Sequence, residues 1–393
     1  MLRALTTLVL AGVLFPVLMS PASADGASDF KRGDLAAADA AWTAAVAADP
    51  KNAEALLGLA RIRLYQDRRA DAQRLATAAA AAGAGTPVSD AAGRVLTEVK
   101  RREAALDPAN VTVPKEGAHV PFVITDPLPI LKLRVNDKAD AYFLLDTGAA
   151  TVSLDPAFAS ELGIKPESGE TGTFAGGKTA AFRRATLTSL GLGTATVRNL
   201  PITIFPTRGF KLDETHTLDG VLGTGVLYRF LSTIDYTHAE LVLRPRDASA
   251  DFERQAAARK DVVTPMWLIG DHFIFVRARV NDGPERLFNV DTGGAGVGVM
   301  PSPLTVADSH VTLDTAHAGE GMGGGGMVKI VPLKAKVTFA SIERADVPGT
   351  YTPEGNQYGI FPTDVGGTLS HLFFRPYAVT FDFVAMKLVV DEP

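Results

Sequence analysis

Two kinds of hydrophobic spacing divide this chain. From residue 29 to residue 106, apolar side chains, mostly alanine, recur at helical spacing. From Pro121 onward, short β-branched and aromatic runs alternate with Gly, Pro, Asn and Asp, which predicts an all-β region of short strands. Between them, residues 107–120 (DPANVTVPKEGAHV) carry prolines and a glycine without periodicity, so a linker is expected there. Within the β region, Leu131–Val135 and Tyr142–Leu145 predict a hairpin through Asn136-Asp137. Phe273–Val280 and Leu287–Val290 predict its counterpart through Asn281-Asp282-Gly283. The charged stretch from Arg246 to Lys260 separates the two halves and is expected to be partly helical.

The helical segment has a longer period as well. Gly33, Ala38, Trp42, Ala45 and Pro50 mark one helix-turn-helix unit, and Leu56, Leu59, Ala60, Ala72 and Ala79 begin another. The spacing resembles the tetratricopeptide repeat, whose period is about 34 residues. Two units are covered, with Ala76 standing where an aromatic is usual, and a helix near Ser89–Leu106 would cap the stack. The resemblance implies a protein partner or substrate-presenting role for residues 25–106; the bland alternative is a passive helical spacer.

Composition narrows the classes. The chain has 393 residues, 46% of them apolar, and a net charge of −5. That is ample for two or three globular domains. No basic run or aromatic-basic interleaving points to nucleic acid. There is no cysteine, which excludes disulfides, thiolate metal sites and cysteine nucleophiles. Arg3, the apolar run Leu5–Met19 broken by Pro16, and Ala22-Ser23-Ala24 have the form of a signal peptide over residues 1–24, with Asp25 as the mature start. The run is shorter than the ~20 apolar residues a spanning helix needs. The expectation is an exported protein, periplasmic or secreted, with no membrane span after cleavage.

The chain also repeats itself. Residues from Arg134 read RVNDKADAYFLLDTG, and residues from Arg279 read RVNDGPERLFNVDTG. They align without a gap at a constant offset of 145 residues, and each ends in Asp-Thr-Gly: Asp146-Thr147-Gly148 and Asp291-Thr292-Gly293. Further on, GVLGTGVLYRFLSTIDY from Gly220 aligns with GTLSHLFFRPYAVTFDF from Gly367, which sets Gly223 opposite Ser370 and Asp235 opposite Asp382. Asp235 and Asp382 read as turn residues that bond nearby backbone N–H groups. A duplicated lobe presenting one carboxylate per copy is what a two-carboxylate hydrolase needs.

These residues resemble the aspartic peptidase superfamily in its retroviral-type form, fused into one chain. Lobe one carries Phe143-Leu144-Leu145 before Asp146, a glycine-rich flap candidate at Gly169–Gly177, and Val221-Leu222-Gly223. Lobe two carries Asp291-Thr292-Gly293, a flap candidate at Gly319–Gly326, and Thr368-Leu369-Ser370, where Ser370 replaces the usual glycine. The combination with a helical repeat resembles exported bacterial aspartyl-protease-like proteins. The resemblance implies a mainly β, two-lobed, pseudo-twofold fold with a β-barrel per lobe. Lobe one would span 121–247, an inter-lobe connection 248–261 and lobe two 262–393. It implies Asp146 and Asp291 as the catalytic dyad and a polypeptide as substrate. Thr147 and Thr292 would form an inter-lobe clasp, with Gly148 and Gly293 allowing a sharp turn. Gly172, Thr173, Gly323 and Gly324 would serve as flap residues over the substrate. No metal or organic cofactor is implied. The alternative is a catalytically silent peptide-binding scaffold, suggested by Gly294 and Ser370 in lobe two. His371 reads as a packing or hydrogen-bonding residue, and Gly294–Gly298 (GAGVG) lacks the βαβ context of a nucleotide loop. The linker composition predicts that removing residues 25–106 leaves a folded hydrolase domain.

Overall fold

A computed structural model describes residues 21–106, 110–173, 179–209, 216–323, 326–353 and 357–391. Most of the expected leader therefore lies outside the described residues, as do residues 174–177 of the first flap candidate and Gly324 of the second. The alanine-rich segment forms five helices: α1 (Pro21–Lys31), α2 (Leu35–Ala48), α3 (Ala53–Tyr65), α4 (Arg69–Ala82) and α5 (Pro87–Ala105). Their starts are written locally. Asp34 caps α2 by accepting from Ala37 N–H, and Asn52 caps α3 by accepting from Ala55 N–H. Thr86 caps α5 ahead of Pro87, whose missing N–H costs nothing at a helix start. Successive helices pack as neighbours, and Trp42 fills the space between them. Gly58 admits it, because a Cβ there would lie 2.4 Å from the indole.

The β region is two copies of one topology. In lobe one the strands neighbour each other in the order Ile130–Val135, Ala139–Leu145, Gly220–Leu222, Val152–Leu154, Ala195–Ile204, Thr179–Leu192 and Ser168–Thr173. In lobe two the order is Phe273–Val280, Arg286–Asp291, Val365–Ser370, Val299–Pro301, Ile342–Tyr351, Gly326–Phe339 and Gly319–Gly323. In each lobe the first strand also pairs back onto the sixth, Arg134 with Gly191 and Ala278 with Phe339, which curls the sheet into a barrel-like form. The two predicted hairpins are present. Asn136 and Asp137 turn the first at φ 52° and 56°, and Asn281 turns the second at φ 48°, as short polar side chains tolerate. Side chains alternate along the first pair of strands, so Leu131, Leu133, Val135, Ala141, Phe143 and Leu145 fill the core of lobe one.

The lobes are joined by a sheet to which both contribute. Val262–Pro265, Lys387–Asp391 and Ala378–Asp382 from the second half continue into Leu231–Asp235, Glu240–Arg244 and Ala118–Ile124 from the first. Thr233 pairs with Thr380 at the seam, and their hydroxyls share a 2.7 Å hydrogen bond. The charged inter-lobe stretch forms a helix over Ser249–Arg259. Asp235 and Asp382 behave as turn residues: each accepts from two backbone N–H groups, of Thr237 and His238 and of Val384 and Ala385.

Two expectations need correction. The expected linker is partly strand, since Val111–Thr112 pairs with the edge of Ala195–Ile204 and Ala118–Val120 with Glu240–Arg244. Its prolines and glycine mark the ends of these short strands, and pairing satisfies the backbone between them. The helical segment is also not a separate body. Its core of Phe30, Leu35, Trp42, Leu56, Leu59 and their neighbours is continuous with Ile269, Phe275, Leu287 and Val365 of lobe two. Polar anchors reach both lobes. Arg102, 3% exposed, donates to Leu268 O and Gly270 O at 2.9 Å, and the Tyr228 hydroxyl of lobe one donates to Asp67 at 2.7 Å.

Candidate active site

Each Asp-Thr-Gly follows a buried strand that ends at the lobe interface. Asp146 follows Leu145 and is held by its N–H to Leu222 O at 3.0 Å, while Asp291 pairs in register with Ser370. The threonines then cross. Thr147 N–H donates to Thr292 Oγ1 and Thr292 N–H donates to Thr147 Oγ1, both at 3.1 Å. Thr147 Oγ1 donates to Val290 O at 2.8 Å, and Thr292 Oγ1 donates to Leu145 O at 3.0 Å. Both threonines are almost fully buried. This reciprocal lock fixes one aspartate relative to the other.

The glycines complete the approach. A Cβ on Gly148 would lie 2.4 Å from the Asp291 carboxyl carbon, and a Cβ on Gly293 would lie 2.6 Å from that of Asp146. Neither glycine has a positive φ. The expected reason, a sharp turn, is therefore replaced by another: only glycine leaves room for the opposite carboxylate. Each carboxylate also accepts from its own motif, Asp146 Oδ1 from Gly148 N–H at 2.8 Å and Asp291 Oδ1 from Gly293 N–H at 2.9 Å.

Electrostatics follow from this proximity. Loss of water, the facing charge of Asp291 and a hydrogen bond with it push the Asp146 carboxyl well above the usual carboxylate range. The N–H groups of Gly148 and Ala149 offset part of that rise. Burial beside a second carboxyl therefore favours the protonated form of Asp146. Both aspartates remain partly open to solvent, so water can reach them.

The other predicted residues sort differently. Gly172 and Thr173 pair with Ala180 and Thr179 in the first glycine-rich hairpin, and Gly323 pairs with Gly326 in the second. His371 is 1% exposed, and neither ring nitrogen has a hydrogen-bond partner among the described residues. Burial and nearby Arg375 push its pKa down to about 4. Its ring packs on Tyr236 with centroids 5.3 Å apart, so it packs and does not hydrogen-bond. Two residues that support the motifs carried only weak sequence signals. Thr224 Oγ1 donates to Thr147 O at 2.8 Å, and Ser370 Oγ donates to Asp291 O at 2.5 Å. Their one sequence clue was their place in the paired element downstream of each motif.

The clasp has a measurable weight. Thr147→Val removes the hydroxyl that bridges Val290 O and Thr292 N–H and leaves both buried. The expected loss is about 1–3 kcal/mol per orphaned group. Denaturant unfolding should show the midpoint fall, and an unchanged midpoint would show that the clasp does not stabilise the lobes.

Residues 131–226 match the family model described as aspartyl protease. The match covers lobe one from its first barrel strand through the short helix after Gly223. No curated protein matches the chain. Among solved structures, basic 7S globulin from soybean overlays with a TM-score of 0.44 at 11% identity, covering 71% of this chain and 95% of that one. Aspartic proteinase from Irpex lacteus overlays with a TM-score of 0.43 at 12% identity, covering 70% of this chain and 97% of that one.

Proposed function

We propose that this protein is an aspartic endopeptidase, exported from the cell, that uses Asp146 and Asp291 to hydrolyse peptide bonds. The observation that carries the proposal is reciprocal: the glycine of each motif makes room for the carboxylate of the other. The ionised member of the pair takes a proton from a water molecule, whose oxygen attacks the scissile carbonyl carbon. The protonated member gives its proton to the carbonyl oxygen as the tetrahedral diol forms. A proton then passes to the amide nitrogen, the C–N bond breaks, and the pair again shares one proton. The two glycine-rich hairpins would close over an extended polypeptide and exclude water from that step. A silent scaffold gains nothing from two facing, half-buried carboxylates, whose cost to stability is offset by no function.

The helical segment is proposed to be a tetratricopeptide-type domain that presents a protein partner or substrate. A concavity of about 690 Å³ where it meets lobe two is lined by Leu35, Asp39, Thr43, Arg63, Gln66 and Trp267.

The test is digestion of a peptide library by the mature protein from pH 3 to 8. A bell-shaped rate profile is expected, with an optimum near pH 5–6.5, roughly where a coupled pair with one raised pKa is singly protonated. Neither Ala149 nor Gly294 offers a side-chain hydroxyl to the carboxylates, so at Asp146 only backbone N–H groups oppose the rise. Ala149→Ser should move the acidic limb downward. An optimum below about pH 3.5 would contradict this account of the pair.

A further inference from the structure

The two motifs are closed by different means, and the difference assigns a role to Ser370. In lobe one the turn closes on itself: Ala149 N–H donates to Asp146 O at 3.2 Å. In lobe two a side chain stands in that bond. Gly294 N–H donates to Ser370 Oγ at 3.1 Å, and Ser370 Oγ donates to Asp291 O at 2.5 Å. The hydroxyl relays between the same two backbone positions that meet directly in lobe one.

Loop length explains why. Gly225 N–H reaches Ala150 O in lobe one, and its counterpart Leu372 N–H reaches Val297 O in lobe two. The path from the aspartate to that carbonyl is two residues longer in lobe two, through Gly294-Ala295-Gly296. In lobe one there is no room for a side chain at the matching place, since a Cβ on Gly223 would lie 2.4 Å from Ala149 O. In lobe two the longer loop opens that space, and Ser370 fills it while remaining fully buried. Gly294 is the necessary partner, because a Cβ there would lie 2.4 Å from Ser370 Oγ. Gly294 and Ser370 therefore fit one another, the bare backbone of the first making room for the hydroxyl of the second.

We propose that Ser370 is a positioning residue that holds the Asp291 turn, and through it the Asp291 carboxylate, in register with Asp146. This rests on the reading of the pair as catalytic. Ser370 touches the backbone of Asp291, so its loss should displace the carboxylate without altering the substrate surface. An ångström-scale misplacement of a reacting group costs up to about 10²-fold in rate.

The experiment compares kcat and KM of the full-length mature protein with those of Ser370→Ala, Ser370→Thr and Asp291→Asn on one fluorogenic peptide. Ser370→Ala should lower kcat by about 10-fold or more with KM within about twofold. Ser370→Thr keeps the hydroxyl and should recover most of the rate. A second pair of variants guards against simple misfolding. Deleting Ala295-Gly296 should impair activity by closing the loop onto Ser370, and combining that deletion with Ser370→Gly should restore it, because the lobe-one arrangement is rebuilt. Wild-type kcat in Ser370→Ala would overturn the inference, as would a combined variant no better than either single change. Cleavage that survives Asp291→Asn would instead overturn the reading of the pair itself.

Discussion

Asparagine at either Asp146 or Asp291 should abolish peptide cleavage, by roughly 10³-fold or more, because one carboxyl cannot act as base and acid in the same step. The fold should survive, and the stability data should carry their own signature. In the folded protein Asp146 holds its proton above the ordinary carboxylate range. In the unfolded chain it ionises near the ordinary value. Between those two points the folded state binds more protons, so wild-type stability falls as pH rises through that window. Below the unfolded pKa the penalty is absent. Asp146→Asn has no such penalty, so at neutral pH it should unfold at an equal or higher temperature than wild type. The gap should close below about pH 4. Activity from either variant, or a lower melting temperature for Asp146→Asn at neutral pH, would contradict the placement of the shared proton.

The second large effect is structural. Removing residues 25–106 should yield insoluble or unfolded protein. The truncation uncovers Ile269, Phe275, Leu287 and Val365, each at most 2% exposed in the intact chain. Re-exposing side chains of this size costs about 1.5–3 kcal/mol each. Together that is comparable to the ~5–15 kcal/mol that holds a typical domain folded. It also leaves Leu268 O and Gly270 O without Arg102. A soluble fragment with the intact protein's melting temperature and peptidase rate would show that the shared core is dispensable.

The hairpins were legible from spacing, and the two-lobed fold from the family resemblance that the repeated motif carries. The repeated fifteen-residue stretch fixed the two hairpins because Asn136, Asp137 and Asn281 are turn formers inside strong strand patterns. The two aspartates followed from the offset, and the reciprocal threonine bonds join residues at that same offset. The shared core was harder to see. Tyr142 in lobe one is half-buried, whereas its counterpart Leu287 is fully buried under the helices. Arg286–Asp291 is therefore covered on both faces, but a short apolar run does not say what covers it. Composition alone placed a boundary at residues 107–120, because prolines mark strand ends as readily as linkers. Ser370 looked like a defect because its partner, the longer loop at Gly294, is distant in sequence. The role of Gly148 and Gly293 was misassigned for a similar reason: what they make room for lies in the other motif.

The union of helices and second lobe also dictates an order of events in time. Arg277 Nη1 meets Gly33 O across 244 positions of chain. The helices are synthesised first, yet the strands that complete their hydrophobic core come from the last third of the sequence. A chain that emerges N-terminus first would carry α1–α4 with one apolar flank bare until those strands follow. Contacts of such long sequence separation slow folding, and exposed apolar surface invites association with other chains meanwhile. The N-terminal segment is thus a helical scaffold whose final packing waits for the last third of the chain.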